Sequence, residues 1–154
     1  MEMDELLSLQ GVVPSLRATN KKQALQDLAR RAAEITHQPE RRIFEALLER
    51  ERLGTTGIGN GIAIPHAKLA GLDRLHGLFA RAEVPIDFDS IDDQPVDLIF
   101  LLLAPEGAGA DHLKALARVS RLLRDRSICE KLRGSEESDA IYALLTQSTT
   151  SHAA

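Results

Sequence analysis

The sequence predicts one α/β domain with a central β-strand that helices cover on both sides. The segment Val96–Leu103, VDLIFLLL, is apolar at every position except Asp97, which is typical of a strand buried on both faces. Amphipathic helical patterns occur both before and after this strand. The chain has 154 residues, 44% of them hydrophobic, which is the size and composition of one soluble domain.

Composition also excludes several classes of function. The formal net charge is -4 and no basic cluster stands out, so nucleic acid is not an expected partner. Cys129 is the only cysteine, which excludes an internal disulfide and fits a reducing compartment. The first residues, MEMDELLSLQ, lack the basic start of a signal peptide, and the apolar run Leu98–Ala104 is far short of the roughly 20 residues that cross a bilayer. We therefore expect a cytoplasmic protein without a membrane-inserted segment.

The first third of the chain predicts a short strand and two helices. Residues Val12–Leu16 read as an edge strand, because Pro14 cannot donate a hydrogen bond to a neighbouring strand. Asn20 with Gln23 resembles a capping box that starts the first helix. Its apolar face comprises Leu25, Leu28, Ala32 and Ile35. Pro39 is expected at the first position of the second helix, which should end before Gly54. Its buried stripe comprises Ile43, Phe44, Leu47 and Leu48, and Arg50 lies at the margin of that stripe in the last turn.

The middle of the chain predicts strands around the central one. Short strands are expected at Ile62–Ile64 and His76–Arg81, and the Asp-rich stretch Pro85–Pro95 reads as a loop or a short β excursion. The central strand runs into the loop Ala104–Ala110 at its carboxyl end, where open α/β sheets usually place ligand sites.

Helices are predicted for the rest of the chain. Asp111 is the expected N-cap of a helix that directs His112 inward in its first turn, with Leu116, Val119 and Leu123 on the same side. A shorter helix should cover Ile128–Leu132, and either Ser135 or Ser138 should cap the last one. The apolar side of that helix comprises Ile141, Leu144 and Leu145.

The segment from Arg50 to His66, RERLGTTGIGNGIAIPH, is unlike ordinary core or surface. Four glycines in eight positions indicate backbone that takes positive φ or approaches another group closely. His66 follows Pro65, whose φ is fixed, so its imidazole is held at a set angle where it can act as a nucleophile near neutral pH. The alternative is a loop histidine that only hydrogen-bonds to backbone.

Each of the other candidate site residues has both a functional and a purely structural interpretation. His112 lies where the positive end of a helix dipole favours an anion, but it is also consistent with a cap or surface histidine. Arg50 offers a planar donor fork for phosphoryl oxygens, or a cation that satisfies the helix C-terminus. Thr55, Thr56 and Gly57 are possible loop contacts to an anion, although loop threonines commonly bond to their own backbone.

Motifs for other chemistries are missing from the sequence. No Lys-Ser/Thr follows the glycines, and the spacing of a dinucleotide site is absent. A zinc site formed by His66, His76 and His112 has no supporting ligand spacing, so no metal is expected. His76 reads as structural, and Cys129 as a buried, inert thiol.

Several stretches resemble one known family. They are LLERERLG with TGIGNGIAIPH (Thr56–His66), FDSIDDQPVDLIFLLLAP (Phe88–Pro105), DHLKALARVSRLL (Asp111–Leu123) and SICEKLR (Ser127–Arg133). Together they resemble the mannitol/fructose-class IIA proteins of the bacterial phosphoenolpyruvate-dependent phosphotransferase system, and most of all their nitrogen-regulatory branch, IIA-Ntr. The resemblance implies a mixed central sheet and a type-2 EIIA domain over residues 5–147. The remaining residues, 148–154, contain no core residues, so we expect a disordered tail there.

The resemblance also implies roles. His66 would be the phosphoacceptor, on its tele (Nε2) nitrogen, with His112 and Arg50 stabilising the phosphoryl group. An acidic residue, Asp111, stands before the second histidine, where a neutral one is more usual, and could alter the proton balance at His112.

The implied donor is a phosphorylated HPr-like carrier, NPr. The implied targets are proteins such as a potassium transporter or a sensor kinase, and no cofactor is expected beyond the covalent phosphoryl group. The sequence contains neither a IIB domain nor a transmembrane segment, which favours a regulatory role over sugar uptake. The alternatives are a IIA component of fructose or mannitol uptake, an interaction module independent of phosphorylation, and a hydrolase that uses His66 and His112 as base and acid.

Overall fold

The computed structural model describes the backbone of residues 2–151 and the side chains of residues 2–147. Within these limits the chain forms six helices and six strands. In chain order they are α1 (Met3–Leu6), β1 (Leu7–Leu16), α2 (Lys21–Thr36), α3 (Glu40–Arg52), β2 (Gly57–Gly59), β3 (Ile62–Ala63), β4 (His66–Leu69), β5 (His76–Ile86), β6 (Val96–Pro105), α4 (Ala110–Leu123), α5 (Arg126–Arg133) and α6 (Ser138–Ser151). None of the helices in this part of the chain is long and apolar enough to cross a membrane.

The strands form one mixed sheet in the order β1-β5-β6-β3-β2, and β4 also pairs with β6. Strand β6 lies in its centre, antiparallel to β5 and parallel to β3 and β4. Every residue from Leu98 to Ala104 is buried, as expected for a strand covered on both faces. The predicted central strand and the mixed sheet are both confirmed.

Two hydrophobic cores lie on opposite faces of this sheet. Alternate residues of β6 point to opposite faces, so Ile99, Leu101 and Leu103 enter one core and Leu98, Phe100 and Leu102 enter the other. Helices α2 and α3 close the first core, and α1, α4, α5 and α6 close the second. The expected cover of helices on both faces is therefore confirmed.

The starts of the first two long helices differ slightly from prediction. Asn20 caps α2 by accepting a hydrogen bond from the backbone N–H of Gln23, but the Gln23 side chain accepts from the backbone N–H of Thr19 and not of Asn20. Pro39 is the N-cap of α3 and not its first residue, since its ψ of 129° is extended. Helix α3 ends at Arg52, before Gly54, as predicted.

Three strand predictions were too short, one was a residue too long, since β3 ends at Ala63 and not Ile64, and two strands were missed. Strand β1 begins at Leu7. Its pairing with β5 shifts register between Leu7 and Val12, so buried and exposed residues do not alternate regularly there and the sequence shows no strand pattern. It lies at the sheet edge, as Pro14 indicated. Strand β5 continues to Ile86 and β6 to Pro105, which shortens the predicted loops. Strand β2, within the glycine-rich segment, and strand β4, which begins at His66, were not predicted.

Cap residues in the last third were also misplaced. The N-cap of α4 is Gly109, not Asp111, because the chain turns at Gly109 with φ 50° and ψ -113° and the helix starts two residues earlier. Asp125 caps α5, which is longer than the predicted Ile128–Leu132. Helix α6 begins at Ser138, and the Ser135 hydroxyl donates to the carbonyl of Lys131 in α5.

The predicted tail, 148–154, begins inside α6. Residues 152–154 lie outside the described part of the chain, so the domain limits of 5–147 stay a prediction.

Candidate functional site

His66 is positioned by an interrupted strand beside β6. Strands β3 and β4 pair with the same edge of β6, and residues 64 and 65 interrupt them. The N–H of Leu102 donates to the carbonyl of Pro65 at 2.9 Å, so the sheet register continues across the interruption. His66 is therefore the first residue of a strand, opposite Leu102, and not part of a free loop.

Hydrogen bonds set the tautomer of His66. Its Nδ1 lies 2.8 Å from the carbonyl oxygen of Ile64. A carbonyl can only accept, so Nδ1 carries the proton and Nε2 keeps a lone pair. Arg50 Nε donates to this Nε2 at 3.2 Å, and Arg50 Nη1 donates to the carbonyl of Gly54 at 2.8 Å. Arg50 is half-buried, in agreement with its predicted place at the margin of the α3 stripe.

His112 completes a pair of histidine rings. It is the third residue of α4, only 6% exposed, and faces inward as predicted. Its ring packs edge-to-face against His66, with the ring centroids 5.6 Å apart and the planes at 70°. The buried Nε2 of His112 has no hydrogen-bond partner among the described residues. The pair thus contains one anchored imidazole and one with an unused polar atom.

Burial keeps both imidazoles neutral. The pKa of His66 is lowered chiefly by burial and also by the Arg50 charge, while the bond to the Ile64 carbonyl and the charge of Glu51 oppose this. The pKa of His112 is lowered by burial, then by His66 and Lys68. A neutral imidazole with an unprotonated Nε2 can act as a nucleophile at neutral pH, and in this structure that nitrogen accepts from Arg50.

The loop threonines have structural bonds. Thr55 Oγ1 donates to the carbonyl of Phe88 at 2.6 Å and accepts from the N–H of Gly57 at 3.0 Å. Thr56 Oγ1 donates to Glu51 at 2.5 Å. These bonds match the alternative reading, in which loop threonines satisfy backbone and neighbouring groups. Gly57 packs against Ser90, whose Oγ would lie 2.5 Å from a Cβ placed there.

Two charged residues near the histidine pair were missed by the sequence analysis. Glu51 follows Arg50 at the end of α3, and its side chain is only 6% exposed. Lys21 Nζ lies 2.8 Å from Glu51 Oε1. Neither position stands out in the sequence, because a Glu and a Lys on amphipathic helices are normally read as solvated surface.

The other candidate residues show no comparable arrangement. His76 is buried at the start of β5, opposite Leu103. Cys129 is buried, donates to the Leu123 carbonyl at 3.2 Å and has a pKa raised by burial, as expected of an inert thiol. Within the described residues, no group of three His, Cys, Asp or Glu side chains could hold a metal ion.

Comparison with models of known protein families identifies the family to which the chain belongs. The family model described as "Phosphoenolpyruvate-dependent sugar phosphotransferase system, EIIA 2" matches residues 5–148. The chain belongs to this family. It is therefore related to components of a phosphoryl-transfer system, as the GIGNGIAIPH motif indicated.

The similar proteins specify the branch. The nitrogen regulatory protein of Bradyrhizobium diazoefficiens is 60% identical over 145 residues, which cover 94% of this chain and 95% of that protein. The nitrogen regulatory protein of Escherichia coli K12 is 40% identical over 147 residues, or 95% of this chain and 90% of that protein. The crystal structure of IIA-Ntr from Neisseria meningitidis has a TM-score of 0.89 at 35% identity and covers 94% of this chain and 99% of that chain. The resemblance to the nitrogen-regulatory branch of the EIIA family is confirmed.

Proposed function

We propose that the protein is a histidine phosphocarrier that accepts a phosphoryl group on Nε2 of His66 from a phosphorylated HPr-like carrier, NPr. The observation that carries this proposal is the 2.8 Å bond from Nδ1 to the Ile64 carbonyl, which leaves Nε2 as the nucleophilic nitrogen. The tele position is therefore the site of attack. No cofactor or metal takes part, since the covalent phosphoryl group is the only non-protein group the reaction needs.

The reaction is an in-line displacement on phosphorus. The Nε2 lone pair of His66 forms the new N–P bond while the N–P bond to the carrier's histidine breaks, and the carrier's imidazole leaves with that electron pair. The His66 ring gains positive charge because it keeps its Nδ1 proton, and the Ile64 carbonyl stabilises that charge. Such transfer depends mainly on positioning and on stabilising charge around the phosphoryl oxygens.

Arg50 changes partner during this step. In the free protein its Nε donates to the lone pair that must attack. Once phosphorus occupies Nε2, that lone pair is gone, and the guanidinium donates to phosphoryl oxygens instead. Its bond from Nη1 to the Gly54 carbonyl keeps the fork close to its starting position.

His112 supplies the second contact. Its Nε2 is buried without a partner among the described residues, and its ring touches that of His66. A phosphoryl oxygen on His66 would give this nitrogen the hydrogen bond that it lacks. Arg50 and His112 would then hold the phosphoryl group from two sides, in what we call the phosphoryl pocket.

The output of the transfer is a change in protein binding. Phosphorylation adds close to two negative charges at one surface, enough to alter partner affinity. Leu53, 85% exposed, and Leu113, 68% exposed, lie close in sequence to Arg50 and His112 and offer apolar contact area to a docking protein. The targets we expect are nitrogen- and potassium-linked proteins, such as a potassium transporter or a sensor kinase.

Phosphorylation by purified components tests the proposal. The protein is incubated with phosphoenolpyruvate, the enzyme I homologue and NPr, and mass spectrometry locates the modification. We expect one acid-labile phosphoryl group on His66, and NMR of the product should show it on Nε2. The matched control is His37→Ala, an exposed histidine that should be replaced without effect. A His66→Ala variant labelled at the wild-type rate would contradict the assignment.

The same experiment separates the alternatives. Target binding that is identical for the phosphorylated and free protein would favour an interaction module. Turnover of a simple phosphoester would favour a hydrolase. Transfer from the protein to a sugar-specific IIB domain would favour a role in uptake.

A further inference from the structure

Glu51 is a nearly buried carboxylate with three donors around it. Its Oε1 accepts from Lys21 Nζ at 2.8 Å and from the N–H of Thr56 at 3.0 Å, and its Oε2 accepts from the Thr56 hydroxyl at 2.5 Å. The side chains of Glu51 and Lys21 are 6% and 19% exposed. An exposed ion pair contributes little to stability. A buried carboxylate with all its hydrogen bonds made, such as Glu51, restricts the positions of its donors, Lys21 and Thr56.

We propose that Glu51 and Lys21 form a positioning pair that holds His66 and Arg50 in their reactive arrangement without contacting the phosphoryl group. This inference rests on the proposed phosphocarrier function. The pair acts through Thr56, and the three residues are called the Glu51 clamp.

The first argument is a continuous chain of hydrogen bonds to the His66 ring. Glu51 holds the N–H and hydroxyl of Thr56. The carbonyl of Thr56 accepts from the N–H of Ile64 at 3.0 Å, and the carbonyl of Ile64 accepts from Nδ1 of His66 at 2.8 Å. Two residues, Thr56 and Ile64, therefore connect Glu51 to the bond that decides which nitrogen of His66 carries the proton.

The second argument is that α3 holds the loop after it at two points. Arg50 bonds to the Gly54 carbonyl, and Glu51, the next residue, bonds to Thr56. Gly54 has a φ of 152°, so this part of the loop is held in a conformation that other residues rarely adopt. Because Arg50 uses the Gly54 carbonyl as its second anchor, the loop position also sets the direction in which Arg50 donates.

The third argument concerns charge. A lone buried carboxylate this close to His66 would repel an incoming phosphoryl group. Lys21 neutralises it and is itself fixed by the Phe88 carbonyl at 3.5 Å and by the Phe88 ring at 5.1 Å. The pair can therefore position Thr56 without placing net negative charge beside the phosphoryl pocket.

The test uses charge-removing variants with close controls. Glu51→Gln keeps the shape of the side chain and removes its charge, and Lys21→Met leaves Glu51 uncompensated. We expect each variant to slow phosphoryl acceptance from phosphorylated NPr by about tenfold. The rate of the double variant should fall by less than the product of the two single reductions, because the two residues act as a pair. Glu49→Gln and Lys22→Met, exposed residues on the same two helices, should retain the wild-type rate.

A second readout does not depend on transfer. The groups that face the His66 ring are Arg50 and Glu51 from α3 and the titratable His112 from α4, and of these Arg50 lowers and Glu51 raises the pKa of His66. NMR titration of unphosphorylated Glu51→Gln should therefore show a lower pKa for His66 and a larger fraction of the tautomer protonated on Nε2. A residue that only stabilised the fold would change neither property while the protein remained folded.

The outcomes are distinguishable. If the wild-type protein takes no phosphoryl group from NPr, the proposed function fails, while the titration still tests the clamp. A folded Glu51→Gln variant with wild-type rate, His66 pKa and tautomer would overturn the inference. If Glu51→Gln does not fold, Thr56→Val removes one clamp bond and should slow acceptance by about threefold, and an unchanged rate there would also overturn it.

Discussion

The two sides of His66 are built in opposite ways. On the α3 side, Arg50 and Glu51 have all their principal contacts in the free protein, with the Gly54 carbonyl, His66 Nε2, Thr56 and Lys21. On the α4 side, His112 has a buried Nε2 without a partner among the described residues. One side is fully hydrogen-bonded in the free protein, and the other has a buried polar atom that the proposed phosphoryl group would satisfy.

The difference indicates how the free energy of the site is divided. A pre-bonded Arg50 would need little reorganisation, because its donor would move only from the Nε2 lone pair to an oxygen of the phosphorus bonded to that nitrogen. An unsatisfied buried nitrogen costs roughly 1–3 kcal/mol in the free protein, and under the proposed function a phosphoryl oxygen bound to it would relieve that cost. The α3 side should therefore mainly set the rate of phosphoryl transfer. The α4 side should stabilise the phosphorylated protein and destabilise the free one.

The largest effect should come from Arg50. Arg50→Ala removes the donor fork and the anchor to the Gly54 carbonyl, so we expect phosphoryl acceptance to fall by roughly 10²- to 10³-fold. Arg50→Lys should recover part of the rate, since it restores the charge without the planar fork. Rapid-quench transfer from phosphorylated NPr measures both variants.

Arg52→Ala is the matched control for this prediction. Arg52 lies in the same helical turn, is exposed and pairs with Glu49 away from His66. It should leave the rate within a factor of about two. A similar loss in both variants would mean that general positive charge, and not the placement of Arg50, assists the reaction.

The next effect should come from His112 and have opposite signs in two measurements. His112→Leu removes the unsatisfied Nε2 and fills a similar volume, so the free energy of unfolding should rise by about 1 kcal/mol. The rate of acceptance should fall by about tenfold, because one contact to the phosphoryl group is lost. Urea denaturation and the transfer assay provide the two values.

Asp111→Asn is the corresponding control. Asp111 is exposed, and the shift in the pKa of His112 comes from burial, His66 and Lys68. We expect this variant to resemble the wild type in both measurements, so that the acidic residue before His112 does not set its protonation. A destabilised His112→Leu variant would show that the nitrogen has a partner in solution and would remove the contrast between the two sides.

The sequence predicted the parts of this site that follow from periodicity. Helical spacing placed Arg50 at the margin of a buried stripe and His112 on an inward face, and both placements agree with the structure. The apolar run of β6 predicted the central strand, because a short run without alternation is typical of a strand buried on both faces, and the structure buries all seven residues from Leu98 to Ala104.

The remaining parts depend on contacts between distant segments. The strand that starts at His66 exists because Pro65 and His66 align with Leu102 of β6, and its four residues are too few to show a pattern. Glu51 is buried because Lys21, 30 positions earlier, lies against it. No local pattern reports such a pairing. The cap of α4 was misplaced for a similar reason, since Gly109 starts the helix by its backbone conformation and not by a side-chain bond.

The smallest effect should be the pH dependence of stability that both sides share. Burial lowers the pKa values of His66 and His112, and also of His76. The unfolded chain therefore binds more protons than the folded one once the pH falls below the unfolded histidine pKa of about 6.5. Stability should be fully present above that pH and should decrease as the pH falls towards the lower folded values, by at most about 1.4 kcal/mol per pH unit for each histidine.

Urea unfolding between pH 7.5 and 5 separates the contributions of the two sides. His112→Leu removes one titrating group and should flatten the profile. His66→Asn should flatten it as well, and the two effects should not simply add, because His66 contributes to the lowered pKa of His112. If Glu51 raises the pKa of His66 through its charge, Glu51→Gln should steepen the loss of stability at low pH, because His66 would then resist protonation further in the folded state. An equally steep profile in Glu51→Gln and wild type would mean that the α3 side fixes the geometry of His66 without influencing its charge.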